Sequence, residues 1–235
     1  MAKILCIETS TNVCSTALSI NGKSLFSETE HSANSHAAML TLLIEKVMKN
    51  AETDISEIDA VAVSSGPGSY TGLRIGVSTA KGICYALEKP LIALSSLNII
   101  AHQAIIMHND IINRENLLLC PMIDARRMEV YTALFDKNLN QIEDVNAMII
   151  SEKSFSSLLE KQKIAFLGNG AEKCKELINS NNAIFFDDIY PLASAMAKPV
   201  YKLFSNNVFE DTAYFEPFYL KDFIATVPKI KVLNN

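Results

Sequence analysis

The sequence predicts an α/β protein built from two tandem domains, each a mixed β-sheet with crossover helices. Two observations lead to this prediction. The order strand, strand, strand, helix, strand, helix, strand, helix in the first half is repeated in the second half. The first strand of each half also ends on a carboxylate, Glu8 and Asp124. A chain of 235 residues is long enough for two small domains, which we place at residues 1–108 and 109–235.

The first half opens with three predicted strands. Lys3–Glu8 is a short apolar run, and Val13–Ile20 alternates between two faces, as a half-buried strand does. The Asn21-Gly22 pair that follows favours a type I′ turn, because both central positions of that turn need a positive φ. Leu25–Glu30 is then the returning strand.

Helices and strands alternate through the rest of the chain. In the first half the predicted elements are a helix over Ser35–Met48, a strand over Ile58–Ser64, a helix over Thr71–Leu87 and a strand over Leu91–Leu94. In the second half the predicted strands are Leu117–Asp124, Glu129–Phe135, Ile142–Ile150, Lys163–Leu167 and Ile184–Phe186. The predicted helices there are Ser151–Gln162, Ala171–Ile178 and Pro191–Phe204.

Composition limits the classes of function. Apolar residues make up 49% of the chain and charged residues 20%, which provides a core and argues against disorder. The net charge of −5 argues against strong nucleic-acid binding by this chain alone. Five scattered cysteines without a CxxC pair indicate buried thiols in a reducing compartment. With no secretory signal and no apolar run long enough to span a bilayer, we expect a cytoplasmic protein that does not enter a membrane.

The most specific local motif is the glycine-rich segment that runs from Ser65 to Gly76, between a strand and a helix. Its glycines permit backbone angles that other residues avoid, and the first N–H groups of the helix would point into the turn. Such a turn could hold an anion, and the candidate residues are Gly66, Gly68, Thr71, Gly72 and Arg74. No Gly-Lys-Ser/Thr sequence closes it, so it is not a Walker A loop. The alternative is a tight connection without a ligand.

Four sequence blocks resemble known proteins. The duplicated plan is similar to the actin-like (ribonuclease H-like) ATPase fold. Within that group, Gly66–Arg74 resembles the signature of the TsaB (YeaZ) family. Supporting blocks are Ile7–Ser10, Asp124–Tyr131 and Pro217–Lys221, with Lys221 where the family usually has Arg. The blocks stand in family order across nearly the whole chain, so the chain is identified as a member of this family.

The resemblance implies a function. A TsaB-like protein is a non-catalytic subunit of the complex that forms N6-threonylcarbamoyladenosine at position 37 of tRNAs reading codons that begin with A. The expected partners are a TsaD-like catalytic subunit and a TsaE-like ATPase. A homodimer is expected when the chain is alone, and contact with tRNA is expected only through the complex. No intrinsic cofactor is expected, although a nucleotide could bind at the interface of the complex.

The resemblance to TsaD also locates where a metal site would be. TsaD carries a metal-binding His-x-x-x-His after the strand that follows its second helix, and those two positions align with Ser96 and Ile100. Isoleucine cannot bind a metal and serine is a poor ligand. We therefore expect neither a metal site nor a catalytic residue in this chain.

Charged residues at the two predicted hairpins are the remaining candidates for the cleft between the halves. Glu8, with Thr9 and Ser10, follows the first strand at the position where the actin-like group often keeps an aspartate. Asp124 is followed by Arg126 and Arg127, where that group places glycines near the phosphates of ATP. The guanidiniums could hold a phosphate or a carboxylate, or could close the cleft by an ion pair with Asp124 or Glu8.

Two apolar helix stripes are candidates for a partner interface. The first helix has Met39, Leu40, Leu43, Ile44 and Val47. The second has a heptad-like seam of Leu73, Val77, Ala80, Cys84 and Leu87. Such a pair of helices suits a four-helix bundle with a partner, as the resemblance to TsaB also implies. The alternative is that both stripes are buried inside the domain.

Two other functions compete with the subunit hypothesis. An ATP-dependent small-molecule kinase of the actin-like group would need Glu8 for turnover, and it conflicts with Arg126 and Arg127 in the second loop. A peptidase would need a metal pair or an activated nucleophile, and the sequence contains no HExxH motif.

Overall fold

The computed structural model describes residues 1–31 and 36–220 and has the predicted α/β class. Ten strands form two five-stranded mixed sheets, one in each half of the chain. All five cysteines are buried and unpaired, as expected for reduced thiols. In the described part of the chain, no helix has both the length and the apolar character that a membrane span requires.

The first sheet has the strand order β3-β2-β1-β4-β5. Its strands are β1 (Lys3–Glu8), β2 (Cys14–Ile20), β3 (Lys23–Glu30), β4 (Ala60–Gly66) and β5 (Leu91–Ser95). The first three pair antiparallel, whereas β4 and β5 are added in parallel, with Leu5 opposite both Leu18 and Val61. Asn21 and Gly22 have φ values of 49° and 80°, which confirms the predicted turn.

Two helices cover one face of this sheet. They are α1 (His36–Asn50) and α2 (Tyr70–Leu87), and their buried side chains pack on the β1, β2 and β4 residues that point to the same side. Ser69 caps α2, and Glu88 ends it in a left-handed conformation with a φ of 52°. The predicted start of α1, Ser35, lies outside the described residues.

Helix α3 (Ser96–Glu115) lies between the two sheets. Ile99 packs with the opposite face of the first sheet, whereas Leu97, Ile100 and Ala104 belong to the core of the second. The helix is kinked at His108, whose φ and ψ are −131° and 27°. The domain division between residues 108 and 109 stays a prediction, because it falls within a helix that both cores share.

The second sheet has the order β10-β9-β6-β7-β8, which repeats the pattern of the first. Its strands are β6 (Leu118–Asp124), β7 (Glu129–Phe135), β8 (Gln141–Ile149), β9 (Ile164–Leu167) and β10 (Ala183–Phe186). β6, β7 and β8 pair antiparallel, and β9 and β10 are added in parallel. The duplicated topology that the sequence predicts is therefore present.

The crossover segments of the second half are much shorter than predicted. In place of the helix Ser151–Gln162 there is a single turn, α4 (Ser156–Leu159), and in place of Ala171–Ile178 there is a 3₁₀ turn, Glu172–Cys174. Before α4, Phe155 adopts a φ of 61° and packs its ring 5.2 Å from that of Phe166. This left-handed residue lies in the middle of the predicted helix Ser151–Gln162 and interrupts it. The sequence periodicity overestimated the length of both helices.

The chain then returns to the first sheet. A 3₁₀ turn (Ala193–Met196) leads into α5 (Ala197–Ser205), and Met196 and Val200 pack on the face of the first sheet that is opposite α1 and α2. The predicted helix start at Pro191 is too early, because the Ala193 N–H donates to Ser15 Oγ of β2 (2.9 Å) and keeps this stretch extended up to Leu192.

Residues 206–220, which we call the strap, run back along α2. The Glu210 N–H donates to the Leu91 carbonyl (2.9 Å) at one end. In the middle, Lys81 Nζ of α2 donates to the carbonyls of Ala213 (3.1 Å) and Phe215 (3.0 Å). At the other end the Phe218 N–H donates to the Ser65 carbonyl (2.7 Å). Lys221 and the tail Ile224–Asn235 lie outside the described residues.

Replacement of Leu43 by alanine should test the packing of α1 on the sheet. Leu43 is 2% exposed, whereas its neighbour Leu42 is 46% exposed. We expect Leu43→Ala to lower the free energy of unfolding by about 2–5 kcal/mol, because it leaves a cavity. Leu42→Ala should change it by only about 0.5 kcal/mol. Urea denaturation of both variants measures this, and equal effects would contradict the described orientation of α1.

Candidate functional site

The glycine-rich loop between β4 and α2 is packed against the turn that follows β1. The Ser69 N–H donates to the Ser10 carbonyl oxygen (2.7 Å). A Cβ atom added to Gly68 would lie 2.2 Å from that oxygen, and one added to Gly72 would lie 2.1 Å from the Thr9 carbonyl oxygen. The space against these glycines, which an anion would need, is therefore filled by the chain itself.

The other end of the loop meets the strap. A Cβ atom on Gly66, whose φ is +105°, would lie 2.7 Å from the Phe218 carbonyl oxygen. Arg74 places its guanidinium 4.1 Å from the ring centre of Tyr70 and donates to the Tyr219 hydroxyl (3.3 Å). The fold thus brings the Gly66–Arg74 motif together with Phe218 and Tyr219 of the last motif. Close packing explains why glycine is needed at these positions. Thr71 is exposed on the first turn of α2.

Glu8 is fully buried at the end of β1. Its Oε1 accepts a hydrogen bond from the Ser10 N–H (2.5 Å), whereas its Oε2 has no hydrogen-bond partner among the described residues. Burial raises the pKa of this carboxyl from 4.5 to about 7, against the opposing effect of the Ser10 hydrogen bond. Thr9 and Ser10 are buried with it. These three residues form an internal turn and do not line an open cleft.

The loop after β6 has a different construction. Asp124 pairs with Lys173, whose ammonium also donates to the carbonyls of Arg127 (2.7 Å) and Glu129 (2.7 Å). Arg126 and Arg127 are exposed, have φ values of 69° and 50°, and form no ion pair within the described ranges. Of the alternatives for the two guanidiniums, an ion pair with Asp124 or Glu8 is not found among the described residues, because Lys173 contacts the first carboxylate and the second is buried.

The Gly168-Asn169-Gly170 segment packs against the loop after β6 and stabilises it. Asn169 Oδ1 accepts a hydrogen bond from the Asp124 N–H (3.2 Å). Gly168 has a φ of +89°, and a Cβ atom there would lie 2.5 Å from the Met122 carbonyl oxygen. Sequence reasoning missed the roles of Asn169 and Lys173, because both lie more than forty residues from the loop that they hold.

A pocket of about 330 Å³ lies between the halves. It is lined by Asn12, Gly168, Asn169, Ala171, Glu172, Lys175 and the segment 185–190. Its charged lining residues include Glu172, Asp187 and Asp188, and Lys175 is paired with Asp187. Such an acidic lining does not favour the phosphates of a nucleotide. The residues of this pocket therefore do not fit the ATP that the actin-like fold implies.

The positions aligned with the metal ligands of TsaD lie in the protein interior. Ser96 and Ile100 are both 0% exposed, and Ile100 packs in the core of the second sheet. Nearby on α3, burial lowers the pKa of His102 to about 4. Across residues 1–31 and 36–220, no three side chains of His, Cys, Asp or Glu are grouped so that they could hold a metal ion.

Most of the predicted interface stripe is internal. Eight of its ten side chains are buried, and only Met39 and Leu87 are partly exposed. The buried residues are Leu40, Leu43, Ile44, Val47, Leu73, Val77, Ala80 and Cys84. This corrects the prediction that these side chains face a partner. The apolar periodicity reflects packing on the first sheet, so a charge at Leu43 or Val77 would disturb folding.

Two glycines of α2 provide a matched test of the close packing. Gly72→Ala should lower the free energy of unfolding by about 1–3 kcal/mol, because its Cβ would overlap the Thr9 carbonyl oxygen. Gly82→Ala meets no atom within 4 Å and should raise it by about 0.4–1 kcal/mol. Thermal and urea denaturation measure both variants. A neutral Gly72→Ala would contradict the close approach of α2 to the β1–β2 turn.

The buried carboxyl of Glu8 should make stability depend on pH. Since its folded pKa is about 7 and its ordinary value is 4.5, the folded chain retains a proton that the unfolded chain has lost between these values. The free energy of unfolding should therefore fall as pH rises from 4.5 to 7, by up to about 3 kcal/mol. Glu8→Gln should remove this slope, whereas Glu45→Gln, on the exposed face of α1, should leave it unchanged. Urea titrations between pH 4.5 and 8 give the slope, and an unchanged slope in Glu8→Gln would refute the assignment.

Comparison with known proteins gives the family. The family model described as TsaD, tRNA N6-adenosine threonylcarbamoyltransferase, matches residues 26–231. The chain is 27% identical over 231 residues to the tRNA threonylcarbamoyladenosine biosynthesis protein TsaB of Escherichia coli. The aligned region covers 95% of this chain and 96% of the relative. It is 33% identical over 128 residues to TsaB of Haemophilus influenzae, which covers 54% of this chain and 51% of the relative.

The fold agrees with this relationship. A crystal structure from Pseudomonas aeruginosa, described as an uncharacterised protein with similarity to peptidase YeaZ, superposes with a TM-score of 0.82. It is 24% identical, and the superposition covers 94% of this chain and all of the other. The chain belongs to the TsaD-related proteins of tRNA threonylcarbamoyladenosine biosynthesis, and within them to the TsaB (YeaZ) family.

Proposed function

We propose that this chain is a non-catalytic subunit that binds and activates a TsaD-like catalytic subunit, which forms N6-threonylcarbamoyladenosine at position 37 of tRNAs reading codons that begin with A. The observation that carries the proposal is the pair Ser96 and Ile100, which stand where the resemblance to TsaD implies metal ligands and are fully buried. Because this chain lacks the pair of metal ligands, we propose that it assists a partner that carries them.

The outer surface of α1 and α2 suits such a partner. Small residues are exposed there, including Ala38 and Thr41 of α1 and Ser78 and Gly82 of α2. Small side chains let a second pair of helices approach closely. Two exposed apolar side chains, Leu42 (46% exposed) and Tyr85 (86% exposed), offer anchors on the same surface. We assign the partner interface to this outer surface, with the partly exposed Met39 and Leu87 at its margin.

The remaining members of the complex follow from the family. We propose a TsaE-like ATPase as a third component and a homodimer through the outer surface of α1 and α2 when the partner is absent. Contact with tRNA takes place in the assembled complex, and any nucleotide binds between subunits, since the acidic pocket between the halves does not favour phosphates. Consistent with the five reduced cysteines, we place the protein in the cytoplasm.

A kinase of the actin-like group is less well supported. Its phosphate loops would have to be open, whereas Thr9 and Ser10 fill the space against the first loop and Lys173 fills the second. No observation in the described chain favours that activity over the subunit role.

The mass in solution, measured by light scattering with and without the TsaD-like protein of the same organism, tests the proposal. We expect a homodimer that exchanges into a one-to-one heterodimer. Leu42→Asp and Tyr85→Asp should each weaken the heterodimer about tenfold or more, because a charge would be placed at an apolar contact. Both residues are exposed, so the melting temperature of the chain should stay within a few degrees.

Leu25→Asp is the matched control. Leu25 is 56% exposed and points away from α1 and α2, since its neighbour Phe26 packs on their side of the sheet. It should assemble normally. A chain that ignores the TsaD-like protein, or variants at Leu42 and Tyr85 that bind it as well as Leu25→Asp does, would count against the proposed interface.

A further inference from the structure

The loop from Asp124 to Glu129 carries two adjacent arginines in an unusual backbone conformation. Arg126 and Arg127 both have a positive φ, 69° and 50°, which L-residues with long side chains rarely adopt. Both side chains are exposed. No ion pair involves either guanidinium in the part of the chain that the structure describes. The loop therefore presents two charges that form no ion pair with residues 1–31 or 36–220.

Lys173 stabilises this backbone conformation by contacts with the inner side of the loop. Its ammonium, on a side chain that is 22% exposed, contacts the Asp124 carboxylate and donates to the carbonyls of Arg127 and Glu129, both at 2.7 Å. Three donors on one ammonium can satisfy three such acceptors. Lys173 thus acts as an internal counterion at the point where the backbone reverses, and it turns the two guanidiniums outward.

Two further contacts restrict the loop. The Arg126 N–H donates to Asp124 Oδ1 (2.9 Å), and the Asp124 N–H donates to Asn169 Oδ1 (3.2 Å). Because Lys173 already neutralises Asp124, this carboxylate does not compete for an outside cation or repel an outside anion. The backbone from which Arg126 and Arg127 project is therefore fixed before any anionic ligand binds.

The position of the arginines indicates the kind of anion. Neither residue lines the pocket between the halves, and a small nucleotide would need a concave site. An exposed pair of guanidiniums outside that pocket suits the backbone phosphates of an extended nucleic acid. The chain carries a net charge of −5, so these two arginines are a local exception to an acidic protein.

We propose that Arg126 and Arg127 bind a backbone phosphate of tRNA in the assembled complex, and that Lys173 is the positioning residue of this site. The inference rests on the proposed function, because it places the tRNA on a complex of this chain with its TsaD-like partner. The chain alone lacks the charge to bind tRNA strongly, and in the complex the loop adds one anchoring contact.

The test is fluorescence anisotropy with a labelled tRNA transcript whose anticodon reads a codon that begins with A, added to the complex at several salt concentrations. Arg126→Ala and Arg127→Ala should each weaken binding about tenfold. Each should also reduce the magnitude of the slope of log affinity against log salt, by up to about one. Lys173→Met should weaken binding in the same direction, and Lys173→Arg, which keeps the cation, should restore most of it.

Arg114→Ala is the matched control, since Arg114 is an exposed arginine (its side chain is 73% exposed) at the end of α3, paired with Glu115. It removes the same charge elsewhere and should leave the affinity and the salt slope nearly unchanged. Light scattering of every variant with the TsaD-like protein shows whether the complex still forms. A chain that forms no complex refutes the proposed function instead of this inference.

Three outcomes would overturn the inference. The first is a complex that forms but binds tRNA equally well in the arginine variants and in Arg114→Ala. The second is loss of the TsaD-like protein from the arginine variants, which would make the ligand a protein carboxylate. The third is displacement of tRNA by ATP, added as a competing probe, from the wild-type complex but not from the arginine variants, which would make the ligand a nucleotide phosphate.

Discussion

The structure depends on one shared layer, the helix α3 between the two sheets. Leu97, Ile100 and Ala104 are fully buried against the second sheet, while Ile99 is buried against the first. Because one helix supplies apolar surface to both sheets, neither core is complete without it. Helix α3 comes after β5 and leads into β6. Its packing on both sheets therefore fixes the position of these two strands relative to each other. Near the C-terminal end of the described chain, α5 packs on the same face of the first sheet as α3 and completes this layer.

A second constraint is the close approach of α2 to the turn after β1. The glycines of the α2 loop remove the Cβ atoms that would meet the carbonyls of Thr9 and Ser10. In this chain the glycines thus bring two backbone segments together, and no room is left for a phosphate there. With Glu8 buried below the same turn, the first hairpin serves stability and positions α2. In the proposed function, the first half acts through the outer surface of α1 and α2, as expected of a subunit that acts by binding.

The second half has the same topology with shorter crossover segments. Its crossover segments are single turns, and Lys173, in one of them, reaches back to hold the loop after β6. A long helix in that place would not bring Lys173 to the loop in this way. The short crossover and the left-handed arginines therefore belong together, and they leave the two guanidiniums on the surface. The two halves share a topology but expose different features, a helix surface in the first and a charged loop in the second.

The sequence by itself determined the class, the duplicated strand order and the place of the motifs. The bounds of β1 and β7 agree with the predicted strands, because alternation and turn residues are local signals. Local periodicity shows which side chains of a helix share a face, but not what covers that face. Only the tertiary structure decided that the stripes with Leu43 and Val77 are internal. It also decided the partner of Asp124, since Lys173 lies 49 residues away in the chain and meets it only through the pairing of β6 with β9.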